Sequence, residues 1–226
     1  MIVLNKKRSR IPLFTAVMMS AVATVAFVTD VPVQAQSNPF IDVKPGSAHY
    51  DAIVSLSASG IITGVTATTF EPNTKVTRGE AALVLVNALG WSSDTIVDPS
   101  FSDVPKTSPY YEAIAILREN GVIGGYVDGT FKPNNSLTRA QMAKIITKGF
   151  QLETATMMST KFIDVNVLQD LNTKRSIQTL VNYGITTGTT ATTFSPNVNL
   201  TRGQLATFIF RTMQVVQNDL QIISVE

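Results

Sequence analysis

The sequence predicts an all-α fold of three helix-loop-helix units in a pseudo-threefold, three-pronged arrangement around a central helical bundle. Three observations carry this. Thr77-Arg78-Gly79-Glu80 returns as Thr138-Arg139-Ala140-Gln141 and as Thr201-Arg202-Gly203-Gln204. Phe40-Ile41-Asp42-Val43 returns as Phe101-Ser102-Asp103-Val104 and Phe162-Ile163-Asp164-Val165, 61 residues apart each time. Between these markers the apolar residues recur at spacings of three and four, the period of a helix with one buried stripe.

Residues 1–35 read as a signal peptide. Lys6, Lys7, Arg8 and Arg10 precede an apolar, uncharged Ile11 to Val28, and Val33-Gln34-Ala35 supplies small residues for cleavage after Ala35. An uncleaved anchor is the competing reading, since the apolar segment approaches the minimum membrane span; Thr15, Ser20 and Thr24 dilute it and favour cleavage. Without this segment, 14 basic and 15 acidic residues remain, a net charge of −1. The excess positive charge of the whole chain thus says nothing about nucleic acid, and no basic run suggests a polyanion-binding face. Charged residues make up 15% of the chain, against about 25% in an average soluble protein. With Thr, Ser and Asn in their place, the surface suits a sugar-rich setting. Cysteine is absent, so neither a disulfide framework nor a lipidated cysteine is available.

The units are assigned to residues 36–90, to 91–150 with a leading linker, and to 151–214 with another; 215–226 is a tail without counterpart. The first helix of each unit buries Ala52, Ile53 and Leu56, then Ala113, Ile114 and Leu117, then Ile177 and Leu180. Gly60, Gly121 and Gly184 end these helices, as a residue able to turn left-handed does. The third copy carries two extra residues between Asp164 and Gly184. Next come Gly64, Gly125 and Gly188 in an irregular stretch that ends at Phe70-Glu71-Pro72, Phe131-Lys132-Pro133 and Phe194-Ser195-Pro196. A Thr followed three residues later by Glu or Gln then opens the second helix as a capping box. Two short helices cannot bury a sufficient core alone. The second helices are therefore expected to meet centrally, leaving three clefts between units, each lined by an Arg of one copy and loop groups of the same or the next. Segments 91–100 and 151–161 read as polar linkers, with Trp91 covering a core edge or stacking on a sugar ring.

The arginine of each capping box is anomalous. At the first helical position it faces the positive end of the helix dipole, which is unfavourable by about 0.3–1 kcal/mol. Its threefold recurrence suggests that it serves something other than the helix, and an anion is the natural guest.

Phe-x-Asp-Val, the Gly-closed helix, Gly125-Tyr126-Val127-Asp128-Gly129-Thr130-Phe131-Lys132-Pro133 and Thr138-Arg139-Ala140-Gln141 together resemble the S-layer homology domain family, in three tandem copies spanning nearly the whole chain beyond the signal segment. The resemblance implies a secreted bacterial surface module at the cell wall or S-layer. It would be held non-covalently by secondary cell-wall polysaccharide, often pyruvylated, with S-layer or other surface proteins as further partners. No cofactor, nucleic acid or, after cleavage, membrane is implied. The family Arg falls on Arg78, Arg139 and Arg202. Its planar fork suits the carboxylate of a pyruvate ketal. Asp42, Asp103, Asp164, Gly64, Gly125 and Gly188 complete the candidate polysaccharide site. For the three Asp residues, capping of a backbone N–H, pairing with an Arg and direct ligand contact all stay open. The family Glu is retained only as Glu80. Tyr50 and Tyr111 give way to Lys174, with Arg175 beside it, so the third groove is expected to differ in preference or be inactive. His49 matches Tyr110 and Thr173 and belongs to no repeated site, and Asp128-Gly129 reads as a plain turn. Nothing points to an enzyme: there is no phosphate loop and no nucleophile with a credible His partner. The alternative function is a self-associating envelope protein acting through protein contacts.

Overall fold

The computed structural model describes residues 37–156 and 159–223; the signal-peptide assignment falls on residues outside these. Among the described residues seven helices follow one another: α1 (Tyr50–Ala58), α2 (Arg78–Leu89), α3 (Tyr111–Glu119), α4 (Arg139–Gly149), α5 (Ile163–Asn166), α6 (Leu171–Asn182) and α7 (Arg202–Ile223). The first helices α1, α3 and α6 and the second helices α2, α4 and α7 form the three helix-loop-helix units, and α5 is a single turn at the Phe162-Ile163-Asp164-Val165 marker of the third.

Local chemistry sets the helix ends. The Thr77 and Thr138 hydroxyls accept the N–H of Glu80 and Gln141, whose side chains accept the Thr N–H in return, and Thr201 with Gln204 repeats both bonds. At the other ends, Gly60, Gly121 and Gly184 take φ near +70°. This lets the N–H of Ile61, Val122 and Ile185 reach back to the carbonyls of Leu56, Leu117 and Leu180, each at 2.9 Å. That is the six-to-one bond of a Schellman turn, and it brings an apolar residue back onto the helix it closes.

Packing joins the units head to tail in a closed ring. Each second helix lies chiefly against the first helix of the following unit, α2 on α3 and α4 on α6, and α7 returns to α1 to close the circle. The second helices also touch, α2 meeting both α4 and α7. At the centre the chain is extended: Val76 N–H donates to Leu200, Leu200 to Leu137 and Leu137 to Val76, at 2.8–3.0 Å. These three residues are fully buried. Central burial is thus shared between the second helices and a triangle of backbone hydrogen bonds. A repeating marker read along the chain does not reveal that triangle, because each of its sides joins different units.

The segment 151–161 is less of a polar linker than its composition suggests. Leu152, Ala155 and Thr160 are buried, and Ala155 N–H donates to Thr179 Oγ1 at 2.9 Å. Trp91 is half-buried and packs against the core edge. The last helix runs on to Ile223, so the tail begins as its continuation, with Val215 and Val216 against the core.

The interfaces show matched small and large residues. Tyr110 packs its ring over Gly79 at the start of α2, and His49 packs over Gly203 at the start of α7, where a Cβ would stand 2.9 Å from His49 Cγ. The remaining interface carries Ala140 and the smaller Thr173 at these two places. His49 is thereby tied to the ring closure: its Nδ1 lies 2.8 Å from Thr207 Oγ1, which donates its own proton to Gly203 O. Burial, and secondarily the nearby Arg211, hold the imidazole below its ordinary value of 6.5. A folded-state value below the unfolded one means that the unfolded chain binds the proton first as pH falls. Stability contributed by neutral His49 is therefore present above about pH 6.5 and declines below it. The melting temperature is expected to drop between pH 7.5 and 5.5, and His49→Tyr, which copies the Tyr110 over Gly79 pair, should flatten that slope. An unchanged slope in the variant would remove His49 from the account. Asp128 and Asp170, held at about 2, titrate outside this window.

Candidate functional site

The nine residues singled out in the sequence come together as three similar junctions, each spanning two units. Arg78 meets the Asp103 and Gly125 loop of the second unit. Arg139 meets the Asp164 and Gly188 loop of the third, and Arg202 meets the Asp42 and Gly64 loop of the first. The loop groups thus come from the next copy, one of the two arrangements the sequence left open.

The loop is built first. Asp42 accepts the N–H groups of Phe70 and Glu71 at 2.9 and 2.7 Å. Asp103 accepts those of Phe131 and Lys132, both at 2.7 Å, and Asp164 those of Phe194 and Ser195. These carboxylates cap a loop about thirty residues downstream rather than the helix that follows them. The second residue of each pair, Glu71, Lys132 or Ser195, sits at φ of 59–60°, a left-handed conformation that costs a non-glycine residue about 1–2 kcal/mol. Two charge-assisted bonds, one from its own N–H and one from that of the preceding phenylalanine, offset that cost. Burial alone would raise the Asp42 carboxyl, but the two N–H donors and Arg202 outweigh it and hold the group below the usual carboxylate range.

Glycine is required in the same loop by close approach. A Cβ at Gly64, Gly125 or Gly188 would stand 2.5, 2.7 or 2.6 Å from the carbonyl oxygens of Thr69, Thr130 and Thr193, with the ring of Phe40, Phe101 or Phe162 pressed on its other side. Those rings pair with Phe70, Phe131 and Phe194 at centroid separations of 5.4–5.8 Å.

The arginine then enters from the preceding unit. Each leaves its own helix, crosses to the next loop and lays its guanidinium on the loop phenylalanine, 4.4 Å above Phe131 for Arg78, 4.5 Å above Phe194 for Arg139 and 4.6 Å above Phe70 for Arg202. Nε donates to the carbonyl of that same residue at 2.8–2.9 Å in all three. The unfavourable helix position is thus explained in part inside the protein. Arg78 and Arg139 are almost entirely buried, and burial pulls both guanidinium groups down from their ordinary value, opposed by Tyr126 and Asp103 for Arg78 and by Asp164 for Arg139.

The junctions differ at their rims. Around Arg78 the half-exposed Tyr126 ring lies 5.2 Å from the guanidinium and 4.3 Å from Lys132 Nζ. Lys132 also pairs with Asp128 at 3.0 Å. At Arg202 a carboxylate intervenes: Nη1 lies 3.2 Å from Glu80 Oε1. Neither Tyr126 nor the Glu80 pairing is among the residues foreseen as site members. Tyr126 stands in the motif but lacks an equivalent in the other units, and the role of Glu80 depends on which junction it faces. Among the described residues, no group of three or more His, Asp or Glu side chains is placed to hold a metal. No helix among them is long and apolar enough to cross a membrane.

The comparisons agree with this architecture. The S-layer homology domain model matches residues 39–82, 100–143 and 172–206, so that each match takes in a first helix, its loop and the capping box. The chain is 35% identical over 193 residues to an S-layer protein of Bacillus thuringiensis subsp. finitimus, covering 84% of this chain and 23% of that protein. It is 32% identical over 216 residues to a surface-layer 125 kDa protein of Lysinibacillus sphaericus, covering 94% and 18%. An endoglucanase of Bacillus sp. (strain KSM-635) is 31% identical over 174 residues, covering 76% and 18%. The chain spans about a quarter or less of the length of these relatives. With three matched copies joined in one ring, the chain belongs to the S-layer homology domain family.

Proposed function

We propose that the chain is a non-covalent anchor that binds secondary cell-wall polysaccharide in grooves between its repeats, with a pyruvate-ketal carboxylate meeting the arginine fork. Membership of the family makes it a bacterial surface module. The relatives above range from S-layer proteins to an endoglucanase, and what they have in common with this chain is this segment, which supports attachment rather than a shared chemistry.

The observation that carries the reading is the delivery of an arginine from each unit into the loop of the next, on an aromatic face, three times around one ring. An exposed arginine–carboxylate pair contributes only about 0–1 kcal/mol. A guanidinium already shielded and oriented by Phe131, Phe194 or Phe70 loses less on binding, so a charge-assisted bond there contributes about 1.5–3 kcal/mol. Several grooves meeting one repeating polymer then add avidity without further contacts.

The test is co-sedimentation of residues 36–226 with purified cell-wall sacculi, with sacculi stripped of secondary polysaccharide, and with sacculi whose ketals have been removed by mild acid. Binding is expected to the first and to be lost in the other two. Binding to stripped sacculi, or none at all while the chain self-associates in sugar-free buffer, would overturn the anchor and favour the self-associating envelope protein.

A further inference from the structure

The three arginines differ in how many of their nitrogens the protein itself occupies. All three nitrogens of Arg202 are engaged and its charge is paired: Nε donates to Phe70 O, Nη2 to Thr63 O at 2.8 Å and Nη1 to the carboxylate Glu80 Oε1 at 3.2 Å. Arg78 gives Nε to Phe131 O and Nη2 to Gly124 O at 3.2 Å. Arg139 gives only Nε, to Phe194 O at 2.8 Å, and neither Nη finds an acceptor among the described residues. The Arg139 residue is 4% exposed. Among the described residues the fully enclosed side-chain atoms without a partner are Arg175 Nε and Gln178 Oε1, so the unpartnered Nη atoms of Arg139 keep contact with solvent. A buried, oriented cation with two idle Nη groups that keep contact with solvent is a receptor for a carboxylate.

Two sequence differences produce this gradation. The first is Glu against Gln at the third position of the second helix. Glu80 spends Oε2 on the Thr77 N–H at 2.8 Å and keeps Oε1 for Arg202. Gln141 and Gln204 spend their one oxygen on the N–H of Thr138 and Thr201, at 3.0 and 3.2 Å. What remains on each is an amide NH2, which donates and has nothing to offer a guanidinium. The second difference lies in the loop. Gly188 takes φ +96°, whereas Gly64 and Gly125 are not left-handed. The peptide before Gly188 is therefore turned differently, and Thr187 O does not take the place that Thr63 O and Gly124 O fill at the other junctions.

We infer that Glu80 is an internal carboxylate that closes the Arg202 groove to anionic sugars, and that the Arg139 groove, between the second and third repeats, is the principal acceptor of the ligand's carboxylate. The inference rests on the anchoring reading above and says which of the three junctions performs it. It reverses the expectation drawn from Lys174 and Arg175. Those residues belong to α6, the wall of the Arg139 junction, and Lys174 is turned to Asn166 O at 2.7 Å.

The experiment follows the arginine Nε–H signals of 15N-labelled chain during titration with a methyl hexoside bearing a 4,6-pyruvate ketal, with the ketal-free methyl hexoside as control. In the unaltered chain the Arg139 signal is expected to move and the Arg202 signal to stay. In Glu80→Gln the Arg202 signal should begin to move and the calorimetric site number should rise by one. In Gln204→Glu the Arg139 response should weaken at least tenfold. Glu80→Gln keeps the fold because Gln141 and Gln204 already close the same capping box. Equal movement of Arg202 and Arg139 in the unaltered chain overturns the inference while leaving the anchor intact. Movement with the ketal-free sugar overturns the carboxylate, and no movement at any arginine overturns inference and anchor together.

Discussion

A chain ending at Gln151 is expected to lose its cooperative fold altogether, although two complete repeats remain. In an open solenoid, removing a terminal repeat costs one interface and the rest stands. Here the deletion strips α7 from α1 and α6 from α4. It also removes Leu200 from the central triangle, Phe194 from beneath Arg139, and Arg202 from the Phe70 loop. Ile53, Leu56 and Ile146, all buried in the intact ring, lie on helices that lose their partner. A loss on this scale exceeds the whole stability of a typical domain, about 5–15 kcal/mol. Near-ultraviolet dichroism and urea unfolding, with Trp91 as a probe retained in the truncated chain, would show a broad transition or association into oligomers. A monomer with a sharp, independent transition would mean that the repeats are autonomous and that the ring is incidental.

Asp103→Ala should destabilise the intact chain by about 2–4 kcal/mol, a large effect for a residue that is only half-buried. Two N–H donors lose a charged acceptor at 2.7 Å. Lys132 is left in a left-handed conformation with φ 60° and without the group that holds it there, and Arg78 loses its nearest anion. Asp103→Asn should recover part of the loss, since the amide oxygen can accept one of the two donors. Amide exchange at Phe131 and Lys132 should accelerate more than the global change requires. A shift under about 0.5 kcal/mol in urea unfolding would assign the loop conformation to the surrounding phenylalanines instead.

What was legible in the sequence was what the chain does over short distances. Thr77 with Glu80 and Thr138 with Gln141 form within one turn of helix, and Gly60, Gly121 and Gly184 act on the turn just before them, so residue type and spacing were sufficient. The partner of each helix was not legible. Arg78 looks equally suited to a loop in its own unit or the next, and only the closed ring decides. The clamp of Asp42 on Phe70 and Glu71 left one trace, a separation of 28 residues that Asp103 and Phe131 repeat and the third copy lengthens by the two residues of its insertion. Glu71, Lys132 and Ser195 gave no sign of their left-handed backbone, since an Asp distant in sequence imposes it. The inequality of the three arginines was written in Glu80 against Gln141 and Gln204, yet it reads as a neutral exchange until geometry shows Glu80 facing the Arg of another repeat.

The contact of α7 with α1 joins residues about 150 positions apart, and this places the fastening of the ring after all three repeats have been made. Until Leu200 to Thr212 has been made, α1 has no partner, the Phe70 loop lacks its cation and Val76 has no carbonyl to receive its N–H. The ring therefore cannot close on the first two repeats alone, because α1 waits for α7. Locking occurs in one late, long-range step, as contacts between distant parts of a chain require.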